Sequence, residues 1–210
     1  MQINKFKKMD IKINSSEIRL ANRNDKPIVV KILTESFKND PHINWLLEKT
    51  SNKDKLAIII NYVVDEAFSK GTIYITNDNL GAAMWLSEKE EKITIEYIQR
   101  NLSFLFKLGL KTVIRNLKSV KISHDHFPLN KQFCYLYLIG VMPEGQGQGI
   151  ASKLMNPVLE SCKLNGIPVF LETANIKNVE IYKKKGFGLT DCNKTSSTSI
   201  YFMKIENILQ

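Results

Sequence analysis

The chain has 210 residues, of which 43% are hydrophobic and 24% are charged, and its formal net charge at pH 7 is +9. This apolar content excludes an intrinsically disordered chain, and the length favours one hydrophobic core that needs no metal or disulfide staple. The three cysteines are odd in number and widely spaced, which fits neither a disulfide framework nor a zinc knuckle. The positive charge favours anionic partners but does not choose among nucleic acid, membrane surfaces and phosphorylated small molecules.

The amino-terminal residues 1–14 are rich in lysine and lack the apolar stretch of about 7 to 15 residues that a secretory signal contains. The longest nearly apolar run, 133–142, is half the length of about 20 residues that a membrane-spanning helix needs. We therefore expect a cytoplasmic protein without a membrane partner. It should have an N-terminal extension over 1–14 and a single folded domain over 15–210.

Two helices are predicted early in the folded region. The first begins near Pro27 and ends at Asn39-Asp40-Pro41, because the residue before a proline is pushed out of the helical conformation. Residues 42–47 form either a loop or a short helix. Apolar residues at helical spacing from Leu56 to Ala67 predict the second helix, and the segment Ser51 to Asp54 before it has the character of a capping box.

Strands are predicted next at 72–76 and 81–86, joined by Asn77-Asp78-Asn79, whose residue types favour a hairpin turn. A long helical stretch over 94–125 follows and is expected to break near Gly109. One face of its second part is apolar and comprises Leu110, Val113, Ile114, Leu117 and Val120. The other face is basic and comprises Lys107, Lys111, Arg115, Lys118 and Lys121. A solvated helix surface is a better interpretation of the basic face than a track for phosphate or nucleic acid.

The last third of the chain alternates strands with helices. The predicted strands are 133–142, 168–172, 187–192 and 199–205, and the predicted helices are 146–165 and 176–185. An early antiparallel pair and a late strand-helix-strand unit together predict a mixed α/β (α+β) sheet with helices on its faces.

The segment from Val141 to Ser152 carries three glycines at alternate positions between an apolar strand and an amphipathic helix. Glycines there let the backbone turn sharply and bring bare N–H groups to the first turn of the helix, where the helix dipole favours an anion. The Walker pattern fails because Gly149 is followed by Ile150-Ala151 instead of Lys-Ser/Thr. The dinucleotide pattern fails because its third glycine would fall on Ile150 or Ser152.

Gln146-Gly147-Gln148-Gly149-Ile150-Ala151 resembles the Q/R-x-x-G-x-G/A signature of the GNAT superfamily of N-acetyltransferases. The resemblance extends over about 133–190, through Leu171-Glu172-Thr173-Ala174 to the helical Tyr182 and Lys185-Gly186-Phe187. Less tightly, Phe37-x-x-Asp40-Pro41 and Ala82-Ala83-Met84-Trp85 resemble the puromycin N-acetyltransferase branch.

This resemblance implies the GNAT-like acyl-CoA N-acyltransferase fold, with a central, mostly antiparallel sheet and helices on both faces. It also implies acetyl-CoA as the acyl donor and no metal. The residues expected to bind acetyl-CoA are Ile139, Gly140, Val141, Gln146, Gly147, Gln148, Gly149, Ile150, Ala151, Ser152, Asn175, Asn178 and Tyr182. An edge strand near the carboxyl terminus offers a surface for a homodimer.

Acetylation of an amine needs a base, because an alkylamine with a pKa of about 10.4 is almost entirely protonated at neutral pH. It also needs an acid for the departing thiolate. The resemblance assigns the acid to Tyr182, and we take Glu172 as the base, with Asp40, His42 and Tyr137 in reserve. Candidate acceptor-binding residues are Phe37, Trp45, Trp85 and Tyr137, whereas His124 and His126 are expected to be surface histidines.

Two functions remain open from the sequence. The first is an enzyme that moves an acetyl group from acetyl-CoA to the primary amine of a small molecule by direct attack in a ternary complex. The second is a non-catalytic acyl-CoA-binding or nucleic-acid-associated module. Tyr182 favours the enzyme, because a binding module has no need of a phenol at that position.

Overall fold

The computed structural model describes residues 16–47, 53–86, 103, 105–126, 132–194 and 198–206. The strands are β1 (Ile18–Leu20), β2 (Gly71–Thr76), β3 (Gly81–Leu86), β4 (Cys134–Val141), β5 (Val169–Thr173), β6 (Gly188–Lys194) and β7 (Ser199–Ile205). The helices are α1 (Lys26–Phe37), α2 (Pro41–Leu46), α3 (Lys53–Lys70), α4 (Leu110–His124), α5 (Ile150–Leu164) and α6 (Ile176–Lys183), with 3-10 turns at Arg23–Asp25 and Pro143–Gly145. The proposed extension 1–14 and Ser51 of the capping pair lie outside the described residues.

The described strands form one seven-stranded sheet in the order β1-β2-β3-β4-β5-β7-β6. Every neighbouring pair is antiparallel except β4 and β5, which run parallel because α5 crosses between them. This confirms the predicted mixed α/β architecture with a mostly antiparallel sheet. None of the helices in the described ranges is long and apolar enough to cross a membrane.

Strands β4 and β5 separate before they end. They pair only from Cys134 to Leu136 on β4 and from Val169 to Leu171 on β5. Strand β4 then continues to Val141 along β3, whereas β5 turns away after Thr173. A gap therefore opens in the middle of the sheet, lined on one side by β4 backbone that no described strand covers.

Helices cover both faces of the sheet and enclose two hydrophobic clusters. On one face, α1 and α3 bury Val29, Ile32, Leu33, Ile60 and Val64 against the strands. On the other face, α5 and α6 bury Leu154, Met155, Val158, Val179 and Phe187. Each such aliphatic or aromatic side chain stabilises the fold by about 1.5 to 3 kcal/mol, so both layers that flank the gap are well packed.

Gly140 lets α1 lie directly against β4. A Cβ atom at this position would come within 2.7 Å of the Ser36 Oγ atom and 2.9 Å of Leu33 Cδ2. Any larger residue would push α1 away from the strand. The glycine thereby places Ser36 and Phe37, at the end of α1, beside the gap between the strands.

Helix α4 packs with the face opposite to that suggested by its apolar stripe. The break near Gly109 is present as predicted, with a φ of 85°. However, Leu110 is 64% exposed and Leu117 is 60% exposed. The buried residues of α4 are instead hydroxyl-bearing: Thr112, Ser119 and Ser123. Periodicity identifies the two faces of a helix but does not say which one packs against the rest of the protein. In α4 the inward face is the one whose hydroxyl groups form hydrogen bonds.

His126 fastens the end of α4 to the sheet. Its ring stacks on Phe202 with 3.7 Å between centroids, Nε2 lies 2.7 Å from Asp191 Oδ2, and Nδ1 lies 2.7 Å from the Ile122 carbonyl. It is therefore half-buried and not the surface histidine expected from the sequence. The side chain of His124 lies outside the described residues.

The loss of stability in the His126→Gln variant should depend on pH. Burial lowers the pKa of His126, but the Ile122 carbonyl and the Asp191 carboxylate outweigh it, so that the folded-state pKa is raised. The proton then stabilises the fold fully below the ordinary pKa of about 6.5, and this contribution disappears as the pH rises through the higher folded-state value. Urea unfolding should show the largest loss of stability in the variant at acidic pH. A loss equal at acidic and alkaline pH would contradict this assignment.

Candidate active site

A cleft of about 750 Å³ follows the gap between β4 and β5. It extends from the glycine-rich turn to the side chain of Tyr182, with Ser36, Phe37 and Asp40 on the facing wall. No lysine or arginine lines it within the part of the chain that the structure describes. An anion in this cleft would therefore be held by backbone groups.

The glycine-rich turn exposes unsatisfied N–H groups to the cleft. Gly147 and Gly149 have φ angles of 79° and 76°, which side-chain-bearing residues rarely adopt. Gly149 is the N-cap of α5 and offers no side-chain cap, and the first hydrogen bond of the helix runs from Lys153 N to Gly149 O. The N–H groups of Ile150, Ala151 and Ser152 (all lining the cleft) are thus the first three donors of a 15-residue helix. Together with the helix dipole they form a site suited to a diphosphate.

The two glutamines of the turn bond to its own backbone. Gln146 lines the cleft, and its Nε2 atom donates to the Val141 carbonyl at 3.3 Å. Gln148 Nε2 donates to the Glu144 carbonyl at 2.8 Å and does not line the cleft. These bonds stiffen the turn. Because its side chain does not line the cleft, Gln148 would support cofactor binding through the conformation of the turn and not through a side-chain contact.

Strand β4 offers a free edge along the cleft. Ile139, Gly140 and Val141 line it, and on their other side they pair with β3. The gap left by β5 exposes backbone amides that an extended ligand with amide groups can bond as if it were an added strand.

Tyr182 stands at the inner end of the cleft. It is 8% exposed, and its ring packs edge-on against Phe187 with 5.9 Å between centroids. Its hydroxyl makes no hydrogen bond with any described residue. Burial, and secondarily the charge of Asp40, raise the pKa of Tyr182. The phenol therefore stays protonated at neutral pH and can donate a proton to a ligand in the cleft.

Both predicted asparagines line the cleft beside Tyr182. Asn175 is the N-cap of α6, where its Oδ1 accepts from Lys177 N at 3.1 Å. Asn178 donates to Thr173 Oγ1 at 3.5 Å and lines a further cavity toward β5. The side-chain oxygen of Asn175 is therefore used to cap α6. The side-chain amide of Asn178 makes only a long hydrogen bond and is more available to a ligand.

Glu172 lies on β5 where the strands part. Its Oε1 atom accepts from Ser123 Oγ at 2.9 Å, whereas its buried Oε2 has no hydrogen-bond partner among the described residues. Glu172 lines a cavity of about 120 Å³ that also contains Tyr182. It also lines a second cavity of about 220 Å³ on the side away from the glycine-rich turn. An acceptor in the second cavity would meet Glu172 before reaching the cleft.

The cavity of about 220 Å³, hereafter the acceptor cavity, contains two of the four predicted acceptor-binding residues. Phe37 and Tyr137 line it, and the Tyr137 hydroxyl donates to Glu66 Oε2 at 3.3 Å. Trp85 is instead 2% exposed within the cluster beneath α5. Trp45 is half-buried next to the guanidinium of Arg115, which bonds the Trp45 carbonyl at 2.9 Å. Neither tryptophan lines any of the three cavities, because both indoles are used to pack helices.

Comparison with known proteins gives the same fold. A Corynebacterium glutamicum structure described as histone acetyltransferase HPA2 and related acetyltransferase is 18% identical, with a TM-score of 0.69, 92% of this chain covered and 97% of that one. Arylalkylamine N-acetyltransferase 2 of Aedes aegypti is 12% identical, with a TM-score of 0.65 and coverages of 90% and 97%. At these identities the similarity shows the fold.

Sequence comparison gives two further similarities. An uncharacterised N-acetyltransferase of Schizosaccharomyces pombe is 25% identical over 174 residues, which are 74% of this chain and 67% of the relative. Residues 117–187 match the family model described as acetyltransferase (GNAT) family. The chain is an acyltransferase of the GNAT fold. The GNAT match includes the glycine-rich turn, Glu172 and Tyr182.

Several residues of this candidate site were not singled out from the sequence. Ser119 and Ser123, one helical turn apart on α4, contact His42 Nε2 at 3.1 Å and Glu172 at 2.9 Å. Glu66 of α3 lines the acceptor cavity and is paired with Lys70 at 3.0 Å. The pattern of two inward hydroxyls at a spacing of four was visible on α4, but nothing in the sequence identified their partners, which lie 77 and 49 residues away.

Asp40 begins α2 and so places His42. Its Oδ1 accepts from His42 N at 2.9 Å and from Ile43 N at 3.0 Å, and burial raises its pKa. The carboxylate is thus occupied in capping the helix. Of the reserve candidates for the base, His42 has a buried Nδ1 atom that makes no hydrogen bond with any described residue.

Proposed function

We propose that the protein transfers an acetyl group from acetyl-CoA to the primary amine of a small molecule, by direct attack within a ternary complex. The observation that carries the proposal is that the three cavities share lining residues. The cleft and the small cavity share Tyr182, and the small cavity and the acceptor cavity share Glu172. Donor and acceptor can therefore meet between an acid and a base.

The residues present fit acetyl-CoA. The N–H groups of Ile150, Ala151 and Ser152 would hold its diphosphate, the free edge of β4 its pantetheine amides, and the small cavity its acetyl group. When bound, acetyl-CoA supplies the thioester carbonyl that the amine attacks.

Glu172 and Tyr182 would handle the protons of the reaction. The acceptor arrives as an ammonium ion, and Glu172 takes the proton that must leave before the nitrogen can form the new C–N bond. Tyr182 donates its proton to the sulfur as the C–S bond breaks. Proton transfer between the protonated Glu172 and the Tyr182 phenolate, through solvent, restores both groups, and the second proton lost by the nitrogen leaves to water.

A thiol-release assay tests the proposed function. The protein is mixed with acetyl-CoA and a panel of amines that includes alkylamines, arylalkylamines, polyamines, amino acids and the aminonucleoside puromycin, and free thiol is followed. The arylalkylamine acceptor of the Aedes enzyme motivates the second group, and the resemblance to the puromycin branch motivates the last. Acetyl-CoA binding without thiol release from any amine would favour the non-catalytic alternative.

We also propose that the protein works in the cytoplasm. All three cysteines are free thiols, and two of them, Cys134 and Cys162, are buried in the core beneath α5. Free buried thiols are typical of a reducing compartment.

Gly149→Ala should weaken acetyl-CoA binding about ten-fold. The new Cβ meets nothing within 4 Å, so the effect is conformational: an alanine at φ 76° costs about 1 to 2 kcal/mol, and relaxation of the turn disperses the N–H groups. Isothermal titration calorimetry measures the affinity. Gly166→Ala is the matched control, because Gly166 also has a positive φ (63°) but follows the other end of α5. Equal affinities for the two variants would remove the turn from the binding site.

A further inference from the structure

Helix α4 turns its apolar side away from the protein. Among the described residues, ten large apolar side chains are exposed, and five of them fall within one short segment: Phe106, Leu110, Ile114, Leu117 and Val120. The last four, hereafter the α4 stripe, are spaced by four, three and three residues and therefore lie on one side of the helix. Contiguous exposed apolar side chains of this kind mark sites of interaction with proteins or membranes.

Hydrogen bonds on the inward side of α4 hold the stripe outward. At about 100° per residue, Leu117 lies about 200° around the helix from Ser119. Ser119 contacts α2 at 3.1 Å, the guanidinium of Arg115 donates to α2 at 2.9 Å, and Ser123 donates to β5 at 2.9 Å. Rolling the helix to bury the stripe would break these contacts. The stripe therefore needs a partner outside the described fold if it is to be covered.

Positive charge borders the stripe along one side. Residues 105–124 contain five basic residues and no acidic one. The exposed lysines Lys111, Lys118 and Lys121 each directly follow a stripe residue and lie about 100° around the helix from it, in the same direction. Helices with an apolar face flanked by lysines lie in the interface of membranes that contain anionic lipids. The lysine stems can lie along the apolar surface while the ammonium groups reach lipid phosphates.

Charge distinguishes an anionic lipid surface from other occupants of the stripe. A second copy of the chain would bring five positive charges of one helix toward five of another, which opposes association. Residues 87–102, which lie outside the described residues, contain four glutamates but also three lysine or arginine residues, so they would leave most of the positive charge uncompensated. Nucleic acid would satisfy the lysines and gain nothing from the aliphatic side chains. A bilayer offers phosphates at its surface and hydrocarbon beneath them.

We propose that α4 is a peripheral docking surface for membranes that contain anionic lipids, with the α4 stripe inserted between headgroups and its lysines against lipid phosphates. This inference goes beyond acetyl transfer. The expectation of no membrane partner rests on the lack of a spanning segment in the sequence, whereas this contact stays at the surface of the bilayer. Leu117 and Val120 also line the acceptor cavity, so a docked membrane would lie beside that cavity.

Sedimentation of the full chain with lipid vesicles tests the proposal. One set of vesicles is phosphatidylcholine alone, and the other is roughly two parts phosphatidylcholine to one part phosphatidylserine, which carries the negative charge of natural leaflets. We expect at least about ten-fold tighter binding to the second set, because each lysine near an anionic surface adds to the affinity. Raising the salt concentration should weaken this binding, because salt screens exposed charges. Equal binding to both sets would overturn the proposal.

The double variant Leu110→Ser with Ile114→Ser tests insertion of the stripe. Both side chains are exposed and line none of the cavities described above, so the fold should be kept while vesicle binding weakens at least about ten-fold. The matched control is Leu164→Ser with Leu189→Ser, two exposed leucines outside α4, and it should bind like wild type. Binding that is unchanged in the α4 variant would contradict insertion. Thermal melting by circular dichroism checks that both variants are folded.

A charge variant tests the lysines without touching the apolar residues. Lys118→Gln with Lys121→Gln should weaken binding to the phosphatidylserine vesicles at least about five-fold. Lys163→Gln with Lys194→Gln removes the same charge from exposed positions outside α4 and should have little effect. Equal losses in the two charge variants would overturn the assignment to α4, because the attraction would then come from the net charge of the whole protein.

The remaining outcomes would replace the lipid surface by another occupant. If wild type binds neither set of vesicles at low salt, the proposal fails. Carbodiimide cross-links between the lysines of α4 and the glutamates of 87–102 would then identify that segment as the cover, and a dimer mass in light scattering that the Leu110→Ser and Ile114→Ser variant loses would identify a second copy. Loss of binding in the lysine variant alone would indicate a purely electrostatic contact and would overturn insertion. None of these outcomes bears on acetyl transfer, which thiol release tests separately.

Discussion

Replacing Tyr182 by Phe should reduce kcat about 100-fold. The variant removes a buried phenol from a side chain that lines both the cleft and the small cavity, and general acids typically contribute 100-fold or more to the rate. Acetyl-CoA affinity should stay within two-fold of wild type, because the ring and its contact with Phe187 remain. Steady-state thiol release gives kcat, and calorimetry gives the affinity.

The pH profile and a matched variant complete this test. Because burial raises the pKa of Tyr182, the phenol stays protonated, and wild-type turnover should not decline between pH 8 and about 10, where an ordinary tyrosine begins to ionise. Tyr201→Phe removes the same atom from a half-buried tyrosine of β7 outside the cavities and should turn over normally. Full activity of Tyr182→Phe would exclude the tyrosine from the mechanism.

Replacing Glu172 by Gln should lower kcat/KM for the amine about 100-fold at neutral pH. Glutamine is nearly isosteric and can still accept the hydrogen bond from Ser123, but it cannot take a proton from the ammonium. The deficit should shrink as the pH approaches 10, because the amine then loses its proton to solvent. The measurement is kcat/KM of wild type and variant from pH 7 to 10.

Glu180→Gln is the control for this variant. Glu180 is exposed on α6, where it pairs with Lys183 at 2.9 Å outside the cavities, so its loss should not change the pH profile. If kcat/KM of Glu172→Gln were lower than that of wild type by the same factor at every pH, Glu172 would shape the cavity without accepting the proton. His42 would then be the remaining candidate base.

Local signals in the sequence were sufficient for most of the fold. The helical spacing from Leu56 to Ala67 predicted α3, and the hairpin residues at 77–79 predicted the β2–β3 pair, because both depend on neighbours in the chain. The glycine-rich turn was equally local: Gly147 and Gly149 adopt the positive φ angles that only glycine tolerates easily. The sequence therefore predicts anion binding at the turn.

Long-range packing was not accessible in the same way. The inward face of α4 depends on Ser119 and Ser123 meeting His42 and Glu172, which are distant in sequence. The apolar stripe gave the opposite indication. Trp85 illustrates a related limit, since a large aromatic side chain suits a ligand pocket and a core equally well, and only the tertiary structure places it in the core.

The separation of β4 from β5 is the feature that joins the predicted parts into one site. It depends on where the pairing of the two strands stops, at Leu136 and Leu171. No residue type in the sequence marks that point. Once the gap is present, the turn and Tyr182 line one cleft, and Tyr182 and Glu172 line the neighbouring cavity.

A crystal structure of the protein grown with coenzyme A is the most direct test of this arrangement. We expect the diphosphate oxygens within about 2.7 to 3.2 Å of the N–H groups of Ile150, Ala151 and Ser152, and the sulfur beside the Tyr182 hydroxyl. Coenzyme A bound with its diphosphate away from the start of α5, or with its sulfur on the far side of the sheet from Glu172, would contradict the account.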